Sequence, residues 1–380
     1  MVELVETTVY NLHSHFDWLN DRAQQLIRQL FFYKMHFCNT KTVYIMRMKN
    51  FIKKIVKMLP ALCCSSFLSA KEISVINWNL QTFFDANKDG CEYQEFQKSE
   101  KWNKDAYQKR LAKLCAFMNQ TNADIYIFEE IENAGIIYDI TNRLAGNAWT
   151  SRKYWPYGTF YKNKGDAIGC AVISRLKITE IRVHNIDIRT EQSRQPPLRA
   201  IMEIKLDTER TAGSQLTLFV NHWKSKAGGE SQSEIWRIWQ ESVLSRLFTE
   251  QNESPALAAG DFNKDILEFT VVSYAVPSEG FAPNIHLQDS ISGKKTAVRS
   301  PWFTEKNKLI FPGSYYFKEN WERIDHFFFS PEIVVKDFAP VTDGEWSSQE
   351  NFIPLKYKIY TGTGFSDHLP VRCTISIKER

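Results

Sequence analysis

Gly260-Asp261-Phe262-Asn263 follows the apolar run Ala256-Leu257-Ala258-Ala259, and Phe365-Ser366-Asp367-His368-Leu369-Pro370 leads into Val371. Short apolar runs that meet polar residues at one end read as buried strands reaching the mouth of a sheet. The glycine before Asp261 lets the chain turn without a Cβ penalty, so carboxylate and amide can face a cleft. An aspartate directly before a histidine sets a ligand for a hard cation beside a side chain that exchanges protons near neutral pH. The pattern recurs along the chain. The alternating run 73–80 ends at Asn79, and 123–128 ends in Glu129-Glu130-Ile131-Glu132-Asn133. The run 215–220 ends in Asn221-His222-Trp223-Lys224-Ser225-Lys226, and Ile324-Asp325-His326 opens a late apolar run.

Working outward, 101–119 reads as an amphipathic helix with Leu111, Leu114, Cys115 and Met118 on one face. Residues 133–144 read as a shorter helix, and 230–248 as a third with Ile235, Trp236, Trp239, Val243 and Leu247 buried. Strands are expected at 167–174, 175–185, 199–206, 215–220 and 371–377, while 270–300 has no clear pattern. Several strands follow one another directly, so the sheets should be mixed. Asp85-Ala86-Asn87-Lys88-Asp89-Gly90 resembles the start of a calcium loop, but the twelfth position is Phe96, so a polar surface loop is expected.

The hydrophobic share of 43% suits a globular chain, and no apolar stretch approaches the about 20 residues of a membrane-spanning helix. The formal charge of +4 is concentrated at the start. Residues 71–380 carry 39 basic against 40 acidic side chains, so contact with a polyanion must rest on local groups. Residues 48–57 are basic, Met58 to Leu68 is apolar, and Ser69-Ala70 precedes charged Lys71-Glu72, which is the layout of a secretory signal. A lipid-anchored cysteine at Cys63-Cys64 and a plain buried helix are the alternatives. The expected organisation is a non-native or extended segment at 1–47, a signal peptide at 48–70 and one domain at 71–380, secreted or held at the cell envelope. Cys91, Cys115, Cys170 and Cys373 would remain, as two disulfides or as free thiols of the core.

Carboxylates and amides gathered at strand ends suit Mg²⁺ or Mn²⁺, and two histidines add proton transfer. Phosphodiester hydrolysis uses those parts: neutralised phosphoryl oxygens, an activated water and donors for developing charge. No zinc-spaced Cys/His set, Gly-Xaa-Ser-Xaa-Gly elbow or phosphate-cradling glycine loop competes with this reading. Trp78-Asn79-Leu80-Gln81, Glu130-Ile131-Glu132-Asn133, Asn221-His222-Trp223-Lys224-Ser225-Lys226, Gly260-Asp261-Phe262-Asn263, Ile324-Asp325-His326 and Ser366-Asp367-His368-Leu369-Pro370-Val371 occur in one order over about 72–378. In that order they resemble the endonuclease/exonuclease/phosphatase superfamily, and their wording is similar to that of bacterial extracellular nucleases.

The resemblance implies a deoxyribonuclease I-like α/β fold: a four-layer sandwich of two mixed β-sheets face to face, helices outside, with the site at one end. It implies that Asn79 and Glu130 hold a divalent metal and that Asp367 adds charge or a further ligand. Asp261 and Asn263 would position phosphate and attacking water, His368 would act as general base or electrostatic partner, and Asp325 would orient it. His222 would be the second histidine, a phosphate donor or the acid for the leaving oxygen, with an acidic or tyrosine partner expected upstream in the 154–161 region. Glu132, Asn133 and Lys224 to Lys226 read as loop supports. The function expected is an exported, metal-dependent phosphodiesterase, a nuclease on DNA or also RNA, working as a monomer. A sphingomyelinase-type phospholipase C acting on membrane lipid through Trp302-Phe303 and Leu309-Ile310-Phe311 is the alternative within the fold, and a non-catalytic surface adhesin the alternative outside it.

Overall fold

The computed structural model describes residues 72–146, 155–187, 195–208, 215–269, 271–274, 283–304, 306 and 308–378. The segments expected at 1–47 and 48–70 lie outside them. In chain order come β1 (Ile73–Phe83), α1 (Gln94–Lys98), α2 (Lys104–Thr121), β2 (Ile125–Ile131), α3 (Ala134–Ala145), β3 (Tyr157–Tyr161), β4 (Gly169–Ser174) and β5 (Ile178–His184). Then follow β6 (Ile201–Asp207), β7 (Gln215–His222), α4 (Glu230–Glu250), β8 (Ala256–Asp261), β9 (Val271–Tyr274), β10 (Pro283–Gln288) and β11 (Lys295–Arg299). The chain closes with β12 (Tyr315–Phe317), β13 (Asn320–Glu322), β14 (Asp325–Phe329), β15 (Ile333–Pro340) and β16 (Val371–Ile377).

One sheet has the order β15-β16-β1-β2-β4-β3 and the other β5-β6-β7-β8-β14-β11-β10-β9, while β12 and β13 form a separate ribbon. Both large sheets are mixed, because β1 pairs β2 and β7 pairs β8 in parallel while their other neighbours run antiparallel. Alternation along each strand builds the layers. Val75, Ile127, Val172 and Cys373 of the first sheet share a core with Leu218, Leu257 and Phe327 of the second. The opposite face of the first sheet, with Ile76, Trp78, Tyr126 and Phe128, packs against Leu111, Leu114, Phe117 and Met118 of α2 and Ile140 of α3. Trp78 meets Phe117 at a ring separation of 4.5 Å. On the far side α4 covers the second sheet, with Phe248 against Phe219 at 5.5 Å. Helix, sheet, sheet and helix are the four layers expected from the sequence.

Asparagines start the helices of the first sheet. Asn103 accepts from Asp105 N and Ala106 N at 3.1 Å, and Asn133 from Ile136 N at 3.2 Å, which satisfies amide groups that have no partner within the helix. Helix α4 departs from the expected phase. Ile235 is 46% exposed, while Arg237, Gln240, Glu241, Ser242 and Ser245 are buried beside Trp236 and Leu247. These polar groups face inward because they bond chain ends: Gln240 accepts from Lys224 N at 2.7 Å, Glu241 from Gln288 N at 2.9 Å, and Ser245 donates to Leu287 O at 3.2 Å. Apolar periodicity cannot register a face built on hydrogen bonds.

Cys115, Cys170 and Cys373 are buried free thiols and Cys91 is an exposed one. Trp302 and Phe303, half of the segment considered for lipid contact, are buried in the core, while Phe311 is 62% exposed. The 85–92 loop is held by its own acids: Glu92 accepts from Asp89 N and Gly90 N, and Asp85 from Asn87 N and Asn133 Nδ2. Asp89, Glu92 and Glu132 bring carboxylate oxygens within 4.8 Å of one another there.

Two buried details hold the Asp261 turn. Gly260 has φ +146°, and a Cβ there would lie 1.9 Å from the Asn221 carbonyl oxygen on the parallel neighbour. His326 lies among Phe262, Phe269 and Phe328 and its Nε2 donates to Lys264 O at 2.7 Å, which ties down the chain just past Asn263. Gly260→Ala is therefore expected to cost about 3 kcal/mol of stability in urea unfolding, from a forced φ and an overpacked strand pair. Burial drops the His326 pKa from 6.5 to about 4. A histidine depressed in the folded state stabilises fully above its unfolded pKa, and that stability drains as pH falls from about 6.5 towards 4. Melting temperature against pH should show this slope in the wild type and a flatter one in His326→Phe.

Candidate active site

The register of three neighbouring strands places three functional groups in a row. His222 of β7 and Asp325 of β14 are each paired across from Asp261 of β8. The first sheet supplies the opposing groups: Asn79 from β1, Glu130 from β2, and Asp367 and His368 from the segment before β16. A bulge shapes the β2 end, where Glu130 takes φ +63° and the β1–β2 register shifts between Asn79 and Phe83.

Across the seam, Asn79 Nδ2 donates to Asp261 Oδ2 at 3.0 Å and lies 3.3 Å from Glu130 Oε1. His368 Nδ1 donates to Asp325 Oδ2 at 2.9 Å, and its Nε2 stands 4.0 Å from Asp261 Oδ2. His222 Nε2 is 3.7 Å from the same Asp261 oxygen and 4.0 Å from Glu130 Oε1. The backbone around His368 is fixed: Trp78 Nε1 donates to His368 O at 2.9 Å, His368 N donates to Ser366 Oγ at 3.1 Å, and Ser366 Oγ donates to Asn79 O at 2.6 Å. Asn79, Glu130, His222, Asp261 and His368 line a cleft of about 1100 Å³ together with Asn263, Asp367, Arg199, Lys224, Tyr315 and Lys356.

Burial acts oppositely on the two histidines. Burial alone would discharge His368, but Asp325 in direct contact, then Asp261 and Asp367, outweigh it and hold its pKa well above the usual histidine range. His222 is pushed well below that range by burial, and the positive charges of Arg199 and His368 add to the effect. Its Nδ1 is buried without a hydrogen-bond partner among the described residues, and Tyr154, where the stretch expected to supply a tyrosine or acid begins, lies outside them. Burial raises Asp261 to about 7, opposed by His368 and reinforced by Asp325.

The remaining expected residues divide. Asn263 N donates to Asp261 Oδ1 at 2.9 Å and its Nδ2 to Trp223 O at 3.3 Å, which sets the turn. Asp367 lies on the cleft wall 3.6 Å from Lys356 Nζ. Lys226 is tied to Glu230, Glu268 and Glu322, and Asn133 caps α3, so both act as supports. The sequence reading missed Arg199, Tyr315 and Glu129. Tyr315 lays its ring 4.7 Å from the His368 ring. Glu129 is fully buried and neither carboxylate oxygen has a partner; only its place in a strand beside Glu130 could have drawn notice.

A divalent cation fits this donor set. Glu130 and Asp261 converge on one amide nitrogen, and Asp325 Oδ1 is a buried oxygen without a partner, so hard oxygen donors exceed the positive charge around them. Asn79 Oδ1 accepts from Gln81 N at 3.0 Å, which leaves Asn79 bridging the carboxylates through Nδ2.

Comparison with solved structures finds an endonuclease/exonuclease/phosphatase family protein of Bacteroides thetaiotaomicron at 16% identity, covering 82% of this chain and 100% of that one, with a TM-score of 0.49. A humanized D. rerio TDP2 with 14 mutations is 17% identical over 80% of this chain and 99% of its own, at 0.48. The human Nocturnin catalytic domain with bound sulfate is 16% identical over 81% and 95%, also at 0.48. Comparison with curated proteins finds no match. The profile described as the Endonuclease/Exonuclease/phosphatase family matches residues 74–376, a span that holds every strand end described above. The chain belongs to the endonuclease/exonuclease/phosphatase family and is a phosphodiester hydrolase.

Proposed function

We propose that this protein is an exported, divalent-metal-dependent nuclease that cleaves DNA, and RNA as well, by water attack on the phosphodiester. The observation that carries the reading is His368, bonded at 2.9 Å to buried Asp325 behind it and presenting Nε2 4.0 Å from Asp261 on the wall of an open cleft. Export is supported by the sequence of residues 48–70 alone.

Asn79 and Glu130 would hold Mg²⁺ or Mn²⁺, which supplies charge neutralisation at the phosphoryl oxygens. The protein's own groups do the rest. Asp261, raised to about 7, can take a proton from water near neutral pH, while Asn263 fixes the turn that presents it. His368, held charged by Asp325, donates through Nε2 to the phosphate and stabilises the charge that develops there. Neutral His222 offers Nε2 as a further hydrogen-bonding group beside Asp261. Arg199 and Lys224 add positive charge to a cleft in a chain with little net charge to attract a polyanion. Tyr315 adds an aromatic face beside His368 that a base can stack on.

The full-length protein with Mg²⁺ should nick plasmid DNA and degrade RNA, and EDTA should abolish both. His368→Ala should lower turnover by about 10²-fold or more at unchanged melting cooperativity. Release of choline phosphate from sphingomyelin vesicles with intact plasmid would overturn the nuclease reading in favour of a lipid phosphodiesterase.

Asp325→Asn should also lower turnover and should remove the charge that holds His368 protonated. Its imidazole resonance, followed by NMR against pH, should then titrate at a lower pH than in the wild type. An unmoved titration would sink the assigned roles of both residues.

A further inference from the structure

We propose that Arg110, on the helix behind the cleft, is the positioning residue for the metal-holding pair Asn79 and Glu130. The inference rests on the divalent-metal reading above.

Arg110 sits within α2, is 4% exposed and has no carboxylate within ion-pair distance among the described residues. A buried guanidinium without an acid is costly unless its donors are satisfied. Here backbone satisfies the two terminal nitrogens, while Nε has no partner among the described residues. Nη2 donates to Leu80 O at 2.6 Å and Gln81 O at 2.8 Å, and Nη1 to Thr82 O at 2.9 Å. The guanidinium carbon also lies 3.8 Å from the Tyr357 ring centre and 4.7 Å from that of Phe83. Burial lowers its pKa to about 10, so it stays charged at neutral pH.

Three consecutive carbonyls aimed at one cation force an unusual turn. Gln81 and Thr82 have φ +50° and +53°, in the left-handed region that costs a residue with a side chain about 1 kcal/mol or more. The payload of that turn faces the other way. Gln81 N donates to Asn79 Oδ1 at 3.0 Å, and Thr82 N to Glu130 Oε2 at 2.6 Å. The route from α2 to the site is therefore continuous: guanidinium, carbonyls 80–82, amides 81 and 82, then the amide of Asn79 and the carboxylate of Glu130. Gln81 reinforces it by bonding the Tyr357 backbone through both ends of its side chain, at 3.2 and 2.8 Å. Lysine would keep the charge but not the planar fork that spans the three carbonyls.

The test is calorimetric titration of the full-length protein with Mn²⁺ alone, without substrate. Arg110→Lys is expected to weaken binding by about 10- to 100-fold while circular dichroism stays native. Leu114→Ala, as deeply buried on the same helix but off this route, should lower the melting temperature and leave the constant unchanged. Arg110→Ala should regain affinity on addition of millimolar guanidinium but not of ammonium. Unchanged affinity in a folded Arg110→Lys, or equal weakening in Leu114→Ala, would overturn the proposal. Failure of both Arg110 variants to fold would assign the residue to the fold alone and overturn it too. Absence of Mn²⁺ binding in the wild type would instead remove the metal reading, and this inference with it.

Discussion

The hydrogen bond between His368 and Asp325 joins the segment before β16 to β14 of the other sheet, at a place where charge is buried between the sheets. Asp261, Asp325 and Glu129 all lie in the seam where apolar side chains fill the rest of the interface. Isolated carboxylates there would be costly, and desolvation pushes Asp261 and Glu129 towards their neutral forms. One protonated imidazole shared between Asp325 and Asp261 relieves part of that cost. It does not relieve all of it. Among the described residues, Asp325 Oδ1 and both oxygens of Glu129 remain without a partner.

Such a seam works only if its backbone cannot yield. Trp78 bonds the His368 carbonyl from the helix-facing side of β1, and Ser366 bonds the strand at Asn79 itself. On the other sheet Gly260 brings β8 so close to β7 that no side chain fits between them. His222, Asp261 and Asp325 thereby take positions set by strand register rather than by loops. A site built this way is positioned before any ligand arrives, which is the condition for electrostatic stabilisation of a transition state.

Much of this was legible in the sequence because the informative residues sit where apolar runs stop. The runs that reach Asn79, Glu130, His222 and Asp261 follow that rule, although β1 and β2 continue to Phe83 and Ile131, and the resemblance carried by their order implied the fold class. What stayed hidden has a common cause. The buried face of α4 is polar, β12 and β13 are only three residues each, and β15 carries Lys336 and Asp337 in its middle, so none shows a periodic apolar signal. Arg199 and Tyr315 reach the cleft from segments whose local pattern says nothing of their destination. Asp367, expected from the resemblance to add charge or a ligand, lies 3.6 Å from Lys356 Nζ, and its charge helps raise the His368 pKa.

The two histidines show how far residue type alone falls short. Both place Nε2 within 4.0 Å of the same Asp261 oxygen, and both are buried. The difference lies behind each ring. His368 has the Asp325 carboxylate on Nδ1, whereas His222 has an unpartnered Nδ1 and the positive field of Arg199. One is thereby held as the cation and the other as the neutral base form, and groups pushed apart in this way take different parts in a proton-transfer site. On the proposed reading the proton for the leaving oxygen then comes from His368 rather than His222, because of the two histidines it is the one held protonated.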